Sequence, residues 1–190
     1  MFQQEDIKKA LNVLNNGGII LYPTDTVWGI GCDATNKISV QRVFAIKQRN
    51  ESRAILTLVN GFSMLEKYVK HSSSITTAKQ IMETHNRPVT FIYPMANCLA
   101  PNLIAEDGSI GIRIVQDPFC QQLIAEFGKP IVSTSANISG KPTPATFDDI
   151  QEEIKTAVDY VVRWKQNDKN PTTASSIIKL NLDGSFKALR

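Results

Sequence analysis

The chain has two histidines and three cysteines in 190 residues, and both shortages narrow its chemistry. Neither His71 nor His85 has acidic or Cys neighbours at metal-ligand spacing, so each reads as a surface or capping residue rather than a ligand or a base. Cys32, Cys98 and Cys120 are odd in number, far apart and without a Cys-x-x-Cys, which excludes a disulfide framework and a zinc ribbon. They read as reduced thiols, small apolar fillers in a cytoplasmic protein. Charge of one sign is also scarce. A net +3 with no block of five or six Lys/Arg permits a nucleic-acid partner without arguing for one. Aromatic residues are only 7% and do not interleave with basic ones, so no base-stacking platform is evident. No apolar run approaches a membrane span, and Met1–Asp6 lacks the positive start and apolar core of a signal peptide. A soluble, cytoplasmic protein without a membrane partner is expected.

The common phosphate loops are missing as well. Gly29 and Gly31 do not complete a Gly-x-Gly-x-x-Gly, because Ala34 stands at the third position, and no Gly-x-x-x-x-Gly-Lys-[Ser/Thr] occurs. What is present instead is a dense polar stretch after a short apolar run. Pro130-Ile131-Val132 reads as a buried strand, and Ser133 through Pro144 are almost all hydroxyls, amides, Gly and Pro. Such a loop either satisfies its own backbone by local side-chain bonds or offers neutral donors to an anion. A second stretch has the same form: Ile19–Tyr22 is a buried strand that delivers Pro23-Thr24-Asp25-Thr26-Val27-Trp28-Gly29-Ile30-Gly31, a loop of hydroxyls, one acid and two glycines.

The remaining chain alternates helices and strands irregularly. Ile7, Ala10, Leu11 and Leu14 recur at helical spacing up to Gly17-Gly18, and Ser39 is expected to cap a helix carrying Val40, Val43 and Phe44. Lys47 leaves that helix on its core side, where it either complements the helix dipole with Arg49 or meets an anion. Further strands are expected at 54–59, 88–93, 109–115, 160–162, 176–180 and 186–188, with helices at 62–68, 75–85, 118–127 and, from a Thr146-x-x-Asp149 capping box, to about Ala157. Residues 94–108 form a long aperiodic loop, of the length more often functional than idle. Within Ser109–Val115, Arg113 interrupts an apolar set. Either the even positions face solvent or Arg113 points inward at something negative. Several strands follow one another without a helix, which favours a mixed sheet over a purely parallel one. A chain of this length buries roughly 70% of its unfolded surface, so one domain over residues 1–190 needs no staples.

Strand-Pro23-Thr24-Asp25-Thr26-Val27-Trp28-Gly29, then Lys47-x-Arg49, then Ser135-Ala136-Asn137 with Ser139-Gly140-x-Pro142-Thr143-Pro144-x-Thr146, closely resembles the YrdC-type threonylcarbamoyl-AMP synthases, from about Gly17 to Arg190. The resemblance implies an α/β (α+β) fold, a single YrdC-like domain with a twisted mixed β-sheet covered by helices and a concave basic surface. It also implies a nucleotidyltransferase that converts L-threonine, bicarbonate and ATP to threonylcarbamoyl-AMP and pyrophosphate. A tRNA-modifying threonylcarbamoyltransferase complex would accept the product, and Mg²⁺ would come as the counter-ion of ATP. No carboxylate cluster announces a metal site of its own. Carried over residue by residue, Lys47, Arg49, Ser135 and Asn137 would contact ATP and the activated group, with Ser109, Thr143 and Arg190 also on the nucleotide. Thr24, Thr26, Arg113 and Ser133 would frame threonine, Arg113 on its carboxylate.

The residue inventory suits such a reaction on its own terms. Forming a carbamoyl adenylate is opposed mainly by charge repulsion and misorientation, so positioned cations and donors matter more than a nucleophile. The chain departs from the family at Asn50 and Ala54, where prolines are usual, at Arg53, and at Arg87-Pro88 in place of Gly-Pro. With the sequence ending at Arg190, the single-domain form is expected rather than the family's longer branch with its further C-terminal domain. Two other readings stand beside the synthase: a module binding double-stranded RNA or tRNA, and a paralogue that adenylates a different carbamate.

Overall fold

The computed structural model describes residues 2–48, 55–170 and 173–190. Nine strands form one sheet: β1 (Ile20–Tyr22), β2 (Gly29–Gly31), β3 (Leu56–Val59), β4 (Val89–Tyr93), β5 (Ile110–Ile114), β6 (Ile131–Ser135), β7 (Tyr160–Val161), β8 (Ser176–Leu180) and β9 (Phe186–Ala188). Their spatial order is β7-β1-β2-β6-β3-β5-β4-β8-β9. Parallel pairs (β1/β7, β3/β5, β4/β8) mix with antiparallel ones, as the irregular alternation of elements predicts.

Among the described residues six α-helices cover the sheet unequally: α1 (Phe2–Asn15), α2 (Lys37–Ile46), α3 (Phe62–Tyr68), α4 (Ser72–Thr84), α5 (Pro118–Phe127) and α6 (Glu152–Ala157). One face carries Leu21, Ile30, Val132, Ile112, Phe91 and Ile178 and is sealed by residues of α2, α3, α4 and α6. The other face is covered, among the described residues, at one end only. There Ile7, Ala10 and Leu14 of α1 and Phe119, Leu123 and Ile124 of α5 pack over Ile20, Tyr22, Leu58 and Ile131. Beyond α1 and α5 the described residues leave the same face open, and this half-coverage makes the cleft described below. Each large side chain in such a cluster contributes about 1.5–3 kcal/mol by leaving water.

Several expectations need correction. Gly29–Gly31, expected as loop, is a strand, because the two glycines let β1 and β6 close in on both sides. A Cβ at Gly31 would stand 2.6 Å from the Tyr22 ring and 2.6 Å from the Val132 carbonyl. β6 continues through Ser133, Thr134 and Ser135, which their composition places in the polar loop, since the ladder to β2 and β3 satisfies their backbone. The cap of α2 is Asn36, whose side chain accepts from Ile38 and Ser39, while the Ser39 hydroxyl lies inside the helix and donates to the Gly17 carbonyl at 2.9 Å. Thr146 does donate to Asp149, from its amide and its hydroxyl at 2.8 Å each, but no helix begins there, and α6 starts after Gln151. Cys32 and Cys120 are buried fillers, whereas Cys98 is exposed. Residues 94–108 are pinned rather than loose: Ala96 bridges Val69, the Ala100 amide donates to Ala34, and Leu99, Ala100 and Leu103 are buried. Among the described residues no helix is long and apolar enough to cross a membrane.

Candidate active site

The open half of the sheet holds a cleft of about 310 Å³. Its floor is set by the pleat. Ser133 and Ser135 lie two apart on β6, as do Gly111 and Arg113 on β5 and Thr90 and Ile92 on β4, so each pair shares one face. Leu56 pairs with Ser133 and Gly29 with Ser135, bringing three strands side by side under the opening. Thr26, Ser109, Thr143, Ser175 and Arg190 complete the wall from loops and the chain end.

Seven of the residues singled out from sequence thus line one cavity: Thr26, Ser109, Arg113, Ser133, Ser135, Thr143 and Arg190. Thr24 sits just behind, its hydroxyl 3.0 Å from that of Thr26 and 3.4 Å from an Arg113 nitrogen. Lys47 and Asn137 are buried beneath the turn after β6 and do not line the cavity. The Lys47 ammonium donates to the Ser135 carbonyl at 2.5 Å and the Asn137 carbonyl at 2.8 Å. The Asn137 amide donates in turn to the carbonyls of Lys141 (2.7 Å) and Ile138 (3.1 Å), while its Oδ1 is buried without a hydrogen bond. Arg49, and with it Asn50, Arg53 and Ala54, lies outside the described residues.

The interrupted strand resolves cleanly. Ile110 and Ile112 belong to the core on the sealed face, and Arg113 points the other way, into the protein rather than to water. Its negative partner is Asp25: one guanidinium nitrogen is 3.0 Å from the Asp25 carboxylate, with both side chains almost wholly buried. Arg113 Nε is buried and makes no hydrogen bond. Beneath it, burial pushes the Tyr22 phenol well above its ordinary pKa and does the same to the Cys120 thiol, so neither ionises near neutrality.

The chemistry of the wall is uniform. Among the described residues that line the cleft, the ionisable side chains are Arg113 and Arg190, and none is acidic. No His or Cys reaches it, so the described residues assemble no His- or Cys-based nucleophile–base pair there. Among the described residues no group of three or more His, Cys, Asp or Glu converges as a metal site. Two cations, four serines and four threonines set among apolar residues make a receptor for anions rich in hydrogen-bonding groups. Ser175 was missed from sequence. Its hydroxyl lies 2.7 Å from that of Thr90, and its carbonyl accepts from Arg190 Nε at 3.1 Å. The signal was there, because Thr172-Thr173-Ala174-Ser175-Ser176 is another hydroxyl run abutting a buried strand.

Comparison with known proteins addresses the same region. The family model Sua5_yciO_yrdC, described as telomere recombination, matches residues 12–190. The chain belongs to this family. A relative named threonylcarbamoyl-AMP synthase from Photobacterium profundum is 31% identical over 170 residues, spanning 88% of this chain and 92% of its own. Another of that name, from Pseudoalteromonas translucida, is 32% identical over 163 residues, 85% of this chain and 87% of its own. Among solved structures of the Sua5/YciO/YrdC type, E. coli YciO superposes with a TM-score of 0.83 at 22% identity, covering 99% of this chain and 89% of its own. P. abyssi Sua5 complexed with L-threonine gives 0.80 at 23% identity, covering 92% of this chain and 50% of its own. These two likenesses establish the mixed α/β fold.

Proposed function

We propose that the chain is an L-threonylcarbamoyladenylate synthase, joining L-threonine, bicarbonate and ATP to give threonylcarbamoyl-AMP and pyrophosphate. The carrying observation is that, among the described residues lining the cleft, the ionisable side chains are two arginines and none is acidic, with the Arg113 Nε buried and unpartnered at one side. Every substrate of this reaction is an anion or carries a carboxylate, so one receptor of this kind suits all three. The names borne by relatives over most of the chain support the same reading, as does the L-threonine held by the P. abyssi protein.

In this reading Arg113, with Thr26 and Ser133, takes the threonine carboxylate, and Thr24 steadies Thr26. Ser109, Ser135, Thr143 and Arg190 take the nucleotide, which brings Mg²⁺ with it as counter-ion. Arg49 joins them as the second cation of the Lys-x-Arg pair. Lys47 and Asn137 act from below by holding the Ser135–Asn137 turn. The threonine amine condenses with bicarbonate, forming the N–C bond as a C–O bond breaks and water leaves; an oxygen of the resulting carbamate then attacks the α-phosphorus as the bond to pyrophosphate breaks. Charge neutralisation and alignment lower the barrier, without a covalent intermediate on the protein. The product would pass to a tRNA-modifying threonylcarbamoyltransferase complex.

The test is pyrophosphate release by the purified protein with ATP, Mg²⁺ and bicarbonate, with and without L-threonine. Release that requires both threonine and bicarbonate is expected. Equal release without threonine rejects the reading and favours a paralogue acting on another carbamate. RNA binding that falls steeply with salt, together with no release at all, favours the nucleic-acid module.

A further inference from the structure

We infer that Asp25 is a positioning residue for the amino-acid substrate, acting through Arg113; the inference rests on the synthase reading. Asp25 does not line the cleft. It stands behind Arg113 and joins two points at the end of β5. Its Oδ1 lies 3.0 Å from an Arg113 terminal nitrogen, and its Oδ2 accepts from the Gln116 amide at 3.0 Å. The same arginine nitrogen reaches the Thr24 hydroxyl at 3.4 Å.

The consequence is a divided guanidinium. One terminal nitrogen is spent on Asp25 and Thr24, while Nε is buried with no hydrogen-bond partner. Burying a donor without an acceptor is costly, so an arginine held this way is prepared for an acceptor that arrives later. The substrate carboxylate is that acceptor. An arginine has several rotatable bonds, and a carboxylate site works only if the planar fork is already aimed. Asp25 supplies the aim, because its Oδ2 is hydrogen-bonded to the Gln116 amide while its Oδ1, buried and without a hydrogen bond, holds the guanidinium by charge at 3.0 Å. Its charge also offsets the cation, so Arg113 stays buried while the site is empty.

Asparagine at position 25 has the same shape but one acceptor oxygen. The Arg113 nitrogen and the Gln116 amide would then compete for it, and the counter-charge would be gone. Asp25→Asn is therefore expected to raise KM for threonine by roughly tenfold or more, with KM for ATP changed less than about twofold. A purely structural role would move both constants and the melting temperature together. The second arm compares Arg113→Met with Arg113→Met/Asp25→Asn, in which neither charge is left buried alone. If Asp25 acts through Arg113, adding Asp25→Asn to Arg113→Met brings no further rise in the threonine KM.

Unchanged or tighter threonine binding in a folded Asp25→Asn protein overturns the inference. So does parallel loss of ATP binding, or a further threonine penalty from Asp25→Asn in the Arg113→Met background. If the unmodified protein shows no threonine dependence, it is the synthase reading that fails, and that arm is read first.

Discussion

The ammonium of Lys47 lies 2.8 Å from the backbone carbonyl of Asn137, ninety residues further along the chain. A cation only 1% exposed at a helix end is thereby satisfied by two carbonyls of a turn, Ser135 and Asn137. The Ser139 amide returns the contact by donating to the Lys47 carbonyl at 2.9 Å. The C-terminal end of α2 and the turn after β6 are therefore one unit, and Ser135 lines the cleft because this unit holds it there.

Lys47→Met tests that unit. Methionine keeps the volume but leaves two carbonyls without their donor, at a cost of about 1–3 kcal/mol for each buried group. Urea unfolding should show a loss of about 2–6 kcal/mol, and threonine-dependent pyrophosphate release should fall by about 100-fold or more. Full activity in Lys47→Met would mean the turn needs no clamp.

Gln48 follows Lys47 with φ 49°, in the left-handed region that side chains other than Gly and Asn enter at a cost. Gln48→Gly should therefore stabilise the fold by about 0.5–1 kcal/mol despite the greater freedom of the unfolded chain. A drop in thermal midpoint would show that the Gln48 side chain itself carries stability.

Thiol labelling should discriminate among the three cysteines. Burial pushes the Cys32 and Cys120 thiols up, and both are shut away from solvent, whereas Cys98 is exposed. Iodoacetamide at about pH 8 should modify one cysteine per native chain, Cys98, and all three in denaturant. Rapid labelling of Cys120 without denaturant would mean that α5 opens from the sheet.

Asp159 supplies a pH prediction. Desolvation pushes its pKa up, but the Arg42 guanidinium and the Ile19 amide together outweigh that, so the folded value lies below the ordinary one. The unfolded chain therefore binds the proton first as pH falls. The contribution is complete above pH about 5 and disappears as pH drops through the ordinary carboxylate range and below it. Because the Arg42–Asp159 pair is partly exposed, screening keeps its share small, on the order of 0.5–1 kcal/mol. Asp159→Asn should lower stability at about pH 7 by that amount and leave it unchanged at about pH 2. An equal loss at both values would assign the effect to packing.

Local signals in the sequence determined the helices with an apolar stripe and a clear stop, such as α1 before Gly17 (φ 72°) and α5 between Asp117 and Gly128, and the strands with apolar runs. They also marked the hydroxyl loops and the odd arginine at 113, because a residue out of pattern within a strand is visible in one dimension. Only the tertiary structure decided where β2 begins, since three glycine-flanked residues become a strand only when β1 and β6 flank them. Likewise, only packing separated Lys47, buried under a turn, from Arg190, open to the cleft, and gave Arg113 its partner in Asp25. The physical reason is range. Periodicity and capping act within a few residues, while the cost of burying a charge is met by whichever group the folded sheet brings alongside, here an aspartate from the loop after β1.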